Sequence, residues 1–329
     1  MSKPFVYVCR QLPQAAHDML EAQFDCEVWD QESAVPRALL LEKAAQADAL
    51  LSLLTDKIDE ELLCVAPHLK IVANYAVGFD NIDVPACTRH GVMATNTPGV
   101  LTETTADLAW TLLMAAGRRL TESERFLRAG KWETWGPLLL AGQDIYGATL
   151  GLVGLGRIGS AVARRARGFN MKVLYYDVVR NPVAEAELGL EFKPLDDLLH
   201  ASDFVSVHVP LMPQTRSLIG SREFALMKRT AVLVNTARGG IVDEGALYVA
   251  LRDGHIFAAG LDVFAQEPTP MDNPLRTLEN CICVPHIASA SVKTRTRMAT
   301  LAAENVIAAL GGQRPPTLLN QEVLGQGRS

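Results

Sequence analysis

The stretch 149–177, TLGLVGLGRIGSAVARRARGFNMKVLYYD, constrains the fold more tightly than any other part of the chain. Leu150, Leu152 and Val153 read as a short buried strand. Gly154, Gly156 and Gly159 stand in a G-x-G-x-x-G array, and Ile158, Ala161, Val162, Ala166 and Phe169 recur at helical spacing. A second strand over 172–176 stops at Asp177. The glycines supply a tight turn, room for a pyrophosphate against the backbone, and close packing of helix on strand. The helix that opens there aims its free N–H groups and positive dipole end at the same place. Glycine-rich turns are common, but here strand, turn, helix, strand and terminal acid follow in order. Asp177 also falls about 20 residues beyond the first glycine, as a dinucleotide site requires. The expected cofactor cradle is Gly154, Leu155, Gly156, Arg157, Ile158 and Gly159.

Asp177 bears on which dinucleotide. Its carboxylate can accept hydrogen bonds from the adenosine ribose of NAD(H). The extra phosphate of NADP(H) carries about −1.5 to −2 charge. Each like-charge pair at ~4 Å costs between ~1 kcal/mol in water and ~4 at an effective dielectric of 20. NAD(H) is therefore favoured, while Arg180 is near enough in sequence to soften the penalty and leave NADP(H) open.

At 329 residues the chain has room for two domains with sizeable cores. Hydrophobic residues at 49% and charged residues at 21% fit a water-soluble globular protein. A net charge of −6 argues against a nucleic-acid partner or an anionic membrane surface. No apolar run reaches the ~18 residues that span a bilayer, and MSKPFVYVCRQLP lacks the features of a signal peptide. The six cysteines sit mainly in apolar stretches and read as buried reduced thiols, which implies a cytoplasmic location. No Cys/His cluster has metal-ligand spacing, so no metal is expected.

Before the glycine array, strands are expected over 5–9, 27–29, 49–54, 69–74 and 92–96. Helices are expected from Pro13, over 36–46 and over 59–66, with a glycine turn at Gly78. That alternation indicates a parallel sheet covered on both faces. Residues 100–117, VLTETTADLAWTLLMAAG, are apolar almost all round a helix, which must be buried between domains, between subunits or within one core. A polar helix over 121–128 follows, and then KWETWGP breaks the periodicity. Two tryptophans in a loop point to an interface or a pocket wall. A second α/β run has six expected strands: 150–153, 173–176, 204–208, 231–235, 257–261 and 282–284. A helix over 291–310 precedes a polar, Pro-rich tail that should be loosely held.

Ligands of an open parallel sheet bind beyond the carboxyl ends of its strands. Asn235 leads to Thr236, Ala237 and Arg238, Leu261 leads to Asp262 and then Glu267, and Val284 leads to His286. Arginine suits bidentate recognition of a carboxylate. Histidine exchanges a proton near neutral pH, and a carboxylate beside the imidazole favours its charged form. Taken alone, a histidine after a strand is more often a structural hydrogen-bonder, Arg238 a surface cation and Glu267 a solvated acid. Three such residues at matching strand ends beside a cofactor motif reverse that balance. His208 is followed by Val209-Pro210, a rigid turn expected on the adenine-ribose side. Thr215, Thr236, Ala237, His286 and Ala288 complete the expected cofactor contacts.

NYAVGFDNID (74–83), GLGRIG (154–159), HVPLMPQT (208–215), NTARGGIVDEGAL (235–247), GLDVFAQEP (260–268) and PHIASAS (285–291) together resemble the D-isomer-specific 2-hydroxyacid dehydrogenases. The matching blocks run in the family's order from about 53 to 310. The segment RAGKWETWGPLLLAGQDIYGATLG looks closest to the glyoxylate/hydroxypyruvate reductase branch. The resemblance implies Arg238 as substrate-carboxylate anchor, His286 as acid/base and Glu267 as its partner. It also implies Asp262 as the holder of the nicotinamide carboxamide and the amides of Val77 and Gly78 as a grip on the substrate carboxylate. Thr105 would line the cofactor cleft, and Trp135 would reach a neighbouring subunit's active site.

The same resemblance implies an α/β protein of two Rossmann-like or flavodoxin-like lobes, each a parallel sheet with helices on both faces, hinged around a central cleft. The substrate-binding lobe would comprise 1–98 and 289–329. The cofactor lobe, 99–288, would carry the region on which a homodimer is built. NAD(P)H-dependent reduction of glyoxylate or hydroxypyruvate to the D-2-hydroxy acid is the implied activity. The alternatives are a phosphoglycerate or phosphite dehydrogenase, or an NADH-sensing corepressor-like binding protein. A formate enzyme would carry Gln where Glu267 stands, and Asp177 departs from the branch members that use NADPH.

Overall fold

The computed structural model describes residues 3–325. The chain divides into two compact units, Met1–Leu101 with Ala290–Ser329, and Thr102–Ser289.

The first unit is built on five strands and four short helices: β1 (Phe5–Val8), α1 (Gln14–Glu21), β2 (Asp25–Val28), α2 (Arg37–Gln46), β3 (Ala49–Ser52), α3 (Glu60–Val65), β4 (Ile71–Asn74), α4 (Val84–Arg89) and β5 (Met93–Thr95). All strand pairs are parallel, in the order β2-β1-β3-β4-β5. The inner strands ALLS and IVAN are buried at every position, as strands covered on both faces must be. The edge strand β2, DCEV, alternates exposed and half-buried residues. Helix α4 has no counterpart in the sequence reading. Its six residues are too few for a periodic signal, and what sets it is Asp83, which accepts from the Ala86 amide at 2.9 Å, with a proline in the first turn.

The second unit opens with α5 (Thr102–Gly117) and α6 (Leu120–Arg128). It continues through β6 (Thr149–Val153), α7 (Arg157–Ala166), β7 (Lys172–Tyr176), α8 (Pro182–Leu188), β8 (Leu190–Phe192), α9 (Leu195–Ala201), β9 (Phe204–Val207), α10 (Ser221–Leu226), β10 (Val232–Asn235), α11 (Glu244–Arg252), β11 (Ala258–Leu261) and β12 (Cys281–Cys283). Its sheet is parallel throughout, ordered β12-β11-β10-β9-β6-β7-β8, so the order reverses between β6 and β9. There are seven strands where six were expected. The extra one is the three-residue edge strand β8, too short to be read as an alternating run. The all-round apolar helix α5 is a core helix of this unit, packed against β10, β11 and α7.

The chain then returns to the first unit as α12 (Val292–Leu310), capped by Ser291 Oγ and packed against α1, β3 and β4. The tail beyond it corrects the expectation of a loose end. Leu318 pairs antiparallel with Thr95, and the Asn320 side chain, 1% exposed, accepts from Ala94 N and donates to Val92 O, both at 2.9 Å. The edge strand β5 needs partners for its outer N–H and C=O groups, and the tail supplies them. No helix among the described residues is long and apolar enough to cross a membrane.

Candidate active site

The glycine array sits where the second sheet reverses its order. Gly154 has φ +101°, and a Cβ there would lie 2.8 Å from the His208 carbonyl carbon. A Cβ on Gly159 would meet Gly154 O at 2.3 Å, whereas one on Gly156 would meet nothing within 4 Å. Two glycines therefore close the turn on its neighbours, and the third leaves room on the side where a ligand would lie. Helix α7 starts there with no side-chain cap on its first amides. The Thr236 hydroxyl, at the end of β10, is buried without a hydrogen-bond partner. Open space beside a glycine, uncapped amides and a buried hydroxyl fit a pyrophosphate-bearing cofactor.

Asp177 ties this turn to β7. Its Oδ2 accepts from Leu155 N at 2.8 Å and its Oδ1 from Val178 N at 2.7 Å. Arg180, expected to temper that charge, is instead held by both oxygens of Glu185 at 2.8 and 2.7 Å. Arg180 and the Tyr175 hydroxyl hold Glu185 down at about 2, so that ion pair persists across the neutral range.

His286 and Glu267, expected to lie together, are in contact. His286 Nδ1 lies 2.6 Å from Glu267 Oε2, and Glu267 Oε1 accepts from Phe264 N at 2.9 Å. Burial pushes the Glu267 carboxyl up, but hydrogen bonds from His286 and Phe264 and the charges of His286 and Arg238 outweigh it and hold it below 4.5. Arg238 thus sits close enough for its charge to act on the pair. The 238 and 264–267 segments are locked together at Gly239, where a Cβ would lie 1.8 Å from the Phe264 carbonyl carbon.

His286 adopts φ +51°, a left-handed conformation that a non-glycine residue holds only when its surroundings impose it. Asp262 is the main constraint. Its backbone carbonyl accepts from His286 N at 2.9 Å, and its carboxylate, 0% exposed, accepts from Ile287 N at 2.6 Å and Ala288 N at 2.9 Å. Burial raises the Asp262 carboxyl well above the usual range.

The remaining predicted residues fall in three groups. Val209 packs on the glycine turn, its Cγ1 2.9 Å from where a Gly154 Cβ would be. Pro210 and Thr215 close one loop through a 2.6 Å bond from Thr215 Oγ1 to Pro210 O, and the Ala237 amide is held by Asn235 Oδ1 at 3.0 Å. Thr105 is buried in α5 at 3% exposure, while Trp135 stands 78% exposed in the loop after α6. Val77 and Gly78 belong to the other unit and follow β4 there, in a loop fastened by Asn74, whose Nδ2 donates to Gly78 O at 2.9 Å. Neither Asn74 nor its counterpart Asn235 was singled out from sequence. The signal available was an asparagine at the last position of a buried strand.

No metal site was expected, yet the fold gathers Glu60, Cys64 and His90, with ligand atoms within 4.8 Å of one another. Glu60 and Cys64 share a face of α3 and His90 comes from the end of α4, so no spacing rule links them. Glu60 is already bound by Arg89 and His90 at 2.6 and 2.7 Å, an ordinary surface ion-pair cluster. The six cysteines are unpaired, but Cys64 is exposed rather than buried.

Comparison with known proteins gives the chain its relatives. A family model described as D-isomer specific 2-hydroxyacid dehydrogenase, NAD binding domain, matches residues 110–288. A glyoxylate reductase of Korarchaeum cryptofilum (strain OPF8) is 54% identical over 98% of this chain and 97% of its own. The solved structure of the TT0316 protein from Thermus thermophilus matches with TM-score 0.91 at 45% identity, covering 96% of this chain and 99% of that one. An NADPH-dependent glyoxylate/hydroxypyruvate reductase from Sinorhizobium meliloti, solved with NADP and malonate, matches with TM-score 0.84 at 33% identity over 98% of both chains. With a nicotinamide-cofactor cradle, a His/Glu pair and full-length relatives of this kind, the chain belongs to the D-isomer specific 2-hydroxyacid dehydrogenase family.

Proposed function

We propose that this protein reduces a small 2-oxo acid, glyoxylate or hydroxypyruvate, to the D-2-hydroxy acid, with NADH as the preferred reductant. The observation that carries the proposal is the 2.6 Å contact of His286 with Glu267 at the carboxyl end of the second sheet, with the charge of Arg238 acting on the same carboxylate. The glyoxylate reductase relatives support the substrate class.

When bound, the nicotinamide supplies a hydride to C2 of the substrate. Arg238 holds the substrate carboxylate with paired N–H donors, and the family resemblance gives the amides of Val77 and Gly78, within the first unit, a role as carboxylate donors. Glu267 occupies the Nδ1 side of His286, which leaves the transferable proton on Nε2. His286 gives that proton to the 2-oxo oxygen as negative charge develops there. Glu267 remains ionised and keeps the imidazole oriented through its 2.6 Å contact with Nδ1. Asp262 keeps the 286–288 turn in place, with a remaining lone pair as its link to the nicotinamide carboxamide.

Asp177 supports the preference for NADH, the more so because Arg180 is engaged by Glu185. Exposed Leu120, Leu127, Trp132, Trp135 and Leu138 lie close in sequence on either side of Arg128, and so large an apolar set favours a homodimer built there. The unpaired cysteines favour a cytoplasmic location.

Oxidation of NADH and NADPH against glyoxylate, hydroxypyruvate, pyruvate and phosphohydroxypyruvate tests the reading. Glyoxylate or hydroxypyruvate should give the highest kcat/KM, with NADH ahead of NADPH. Asp177→Asn should lower the NADH-over-NADPH ratio about tenfold, the loss of a like-charge term of ~1–4 kcal/mol. No turnover of any 2-oxo acid would sink the proposal.

A further inference from the structure

Three successive carbonyls after β4 are each fastened by a donor from elsewhere in the first unit. Ala76 O accepts from Thr97 N at 2.8 Å, Val77 O from Asn96 Nδ2 at 2.7 Å, and Gly78 O from Asn74 Nδ2 at 2.9 Å. The two asparagine side chains are themselves buried, at 0% exposure for Asn74 and 6% for Asn96. Ser52 Oγ donates to Asn74 Oδ1 at 3.2 Å, and Thr317 Oγ1 from the C-terminal tail donates to Asn96 O at 2.6 Å. By contrast, the half-buried amides of Val77 and Gly78 donate to no group among the described residues.

A trans peptide is planar, with its C=O and N–H pointing in opposite directions. Fixing the Ala76 carbonyl therefore fixes the direction of the Val77 N–H, and fixing the Val77 carbonyl fixes that of the Gly78 N–H. From this we infer that Asn96 is a positioning residue, aiming the Gly78 amide at the substrate's carboxylate, and that Asn74 holds the far end of the same loop. The inference rests on the proposed role of the Val77 and Gly78 amides. It adds that their direction is set by side chains that never touch substrate.

Asn96→Ala and Asn74→Ala should each raise the KM for glyoxylate and the Ki for oxamate, a non-reducible carboxylate analogue, about five- to tenfold, the value of one hydrogen bond. The kcat should change less than twofold, and the Kd for NADH, read by fluorescence, should not change. A residue with only a folding role would lower the thermal midpoint and the active fraction while leaving KM and Ki alone, and that result would overturn the inference. Arg238→Gln separates the two failures. If it raises KM while both asparagine variants leave KM unchanged, the positioning role is wrong and the carboxylate reading stands. If Arg238→Gln also leaves KM and Ki unchanged, the carboxylate reading itself has failed. Should Asn74→Ala not fold, Asn96→Ala decides alone; failure of both to fold would make them core residues and reject the inference.

Discussion

The loop after β4 in the first unit and the loop after β10 in the second are built alike and offer opposite chemistry. Both strands end in a buried asparagine, Asn74 or Asn235, whose Nδ2 donates at 2.9 Å to a carbonyl further along, Gly78 O or Arg238 O. The amide oxygens then diverge. Asn235 Oδ1 accepts from its own loop, at Ala237 N, whereas Asn74 Oδ1 accepts both from Ser52 at the end of β3 and from Asn81 further along its own loop. The second loop presents a guanidinium. In the proposed function the first contributes peptide N–H groups. On the proposed function, one device for stiffening a strand-to-loop junction would serve both a side-chain site and a backbone site.

If that contrast holds, deleting a side chain should be ruinous in the second loop. Arg238→Ala should lower kcat/KM for glyoxylate by about 10²–10⁴, since two charge-assisted hydrogen bonds of ~1.5–3 kcal/mol each are lost. The loss should appear mainly in KM and be partly recovered by added guanidinium. A fall of less than about tenfold would remove Arg238 from carboxylate binding and break the comparison at its stronger end.

Next in size is Gly239→Ala. The added methyl would sit 1.8 Å from the Phe264 carbonyl carbon, so the segments carrying Arg238 and Glu267 must separate. Overpacking of this kind costs about 1–3 kcal/mol. A lower urea midpoint together with a kcat reduced about tenfold or more is expected. A variant that is less stable but kinetically normal would show that the two segments need no fixed spacing.

Glu267→Gln probes the electrostatic half of the contrast. The Glu267 carboxyl is held below its ordinary 4.5. Its stabilising contribution is therefore fully present above pH 4.5 and lost only as pH falls through the lower folded value. Activity near neutral pH does not depend on its titration. Glutamine keeps the shape and loses the anion that lies 2.6 Å from the imidazole. The kcat for reduction near neutral pH should fall about tenfold, the value of roughly one charge-assisted hydrogen bond, and the acid-side loss of stability should shrink. An unchanged kcat would mean that Glu267 contributes to stability and not to the reaction.

The contrast also explains what could be read in advance. Arg238, Glu267 and His286 carry their chemistry in their side-chain type, and the strand ends they follow were marked by runs such as AVLVN and AAGLD. The glycine turn was legible because its glycines answer to backbone demands that sequence spacing preserves. Strand β8 and helix α4 were not legible because LEF and VPACTR show no apolar run or period, and α4 is marked only by its cap Asp83 and a proline. The tail was misjudged because its polar residues looked solvated, when Asn320 and Thr317 in fact satisfy the edge of β5 and the carbonyl of Asn96. The Glu60, Cys64 and His90 cluster and the bracing of Val77 arise between segments remote in sequence, where composition and spacing say nothing. Asparagine at a strand end is easily taken for a turn former, and only coordinates reveal which carbonyl its amide holds.

The smallest expected effect is the most discriminating. In the role proposed for the first loop the donor is the Val77 peptide group itself, so shortening its side chain should matter little. Val77→Ala retains the N–H, the carbonyl that Asn96 holds, and a permitted backbone conformation. Its side chain is half-buried and belongs to none of the unit's core clusters, so the transfer cost is well below that of a core valine. The kcat/KM for glyoxylate should stay within about twofold of the parent, against the orders of magnitude expected at Arg238. A loss of tenfold or more, with NADH binding intact, would mean that the Val77 side chain itself shapes the substrate's surroundings, and the division between a backbone loop and a side-chain loop would not survive. A near-neutral result would leave the peptide groups as the loop's contribution, testable in turn through the asparagines that aim them.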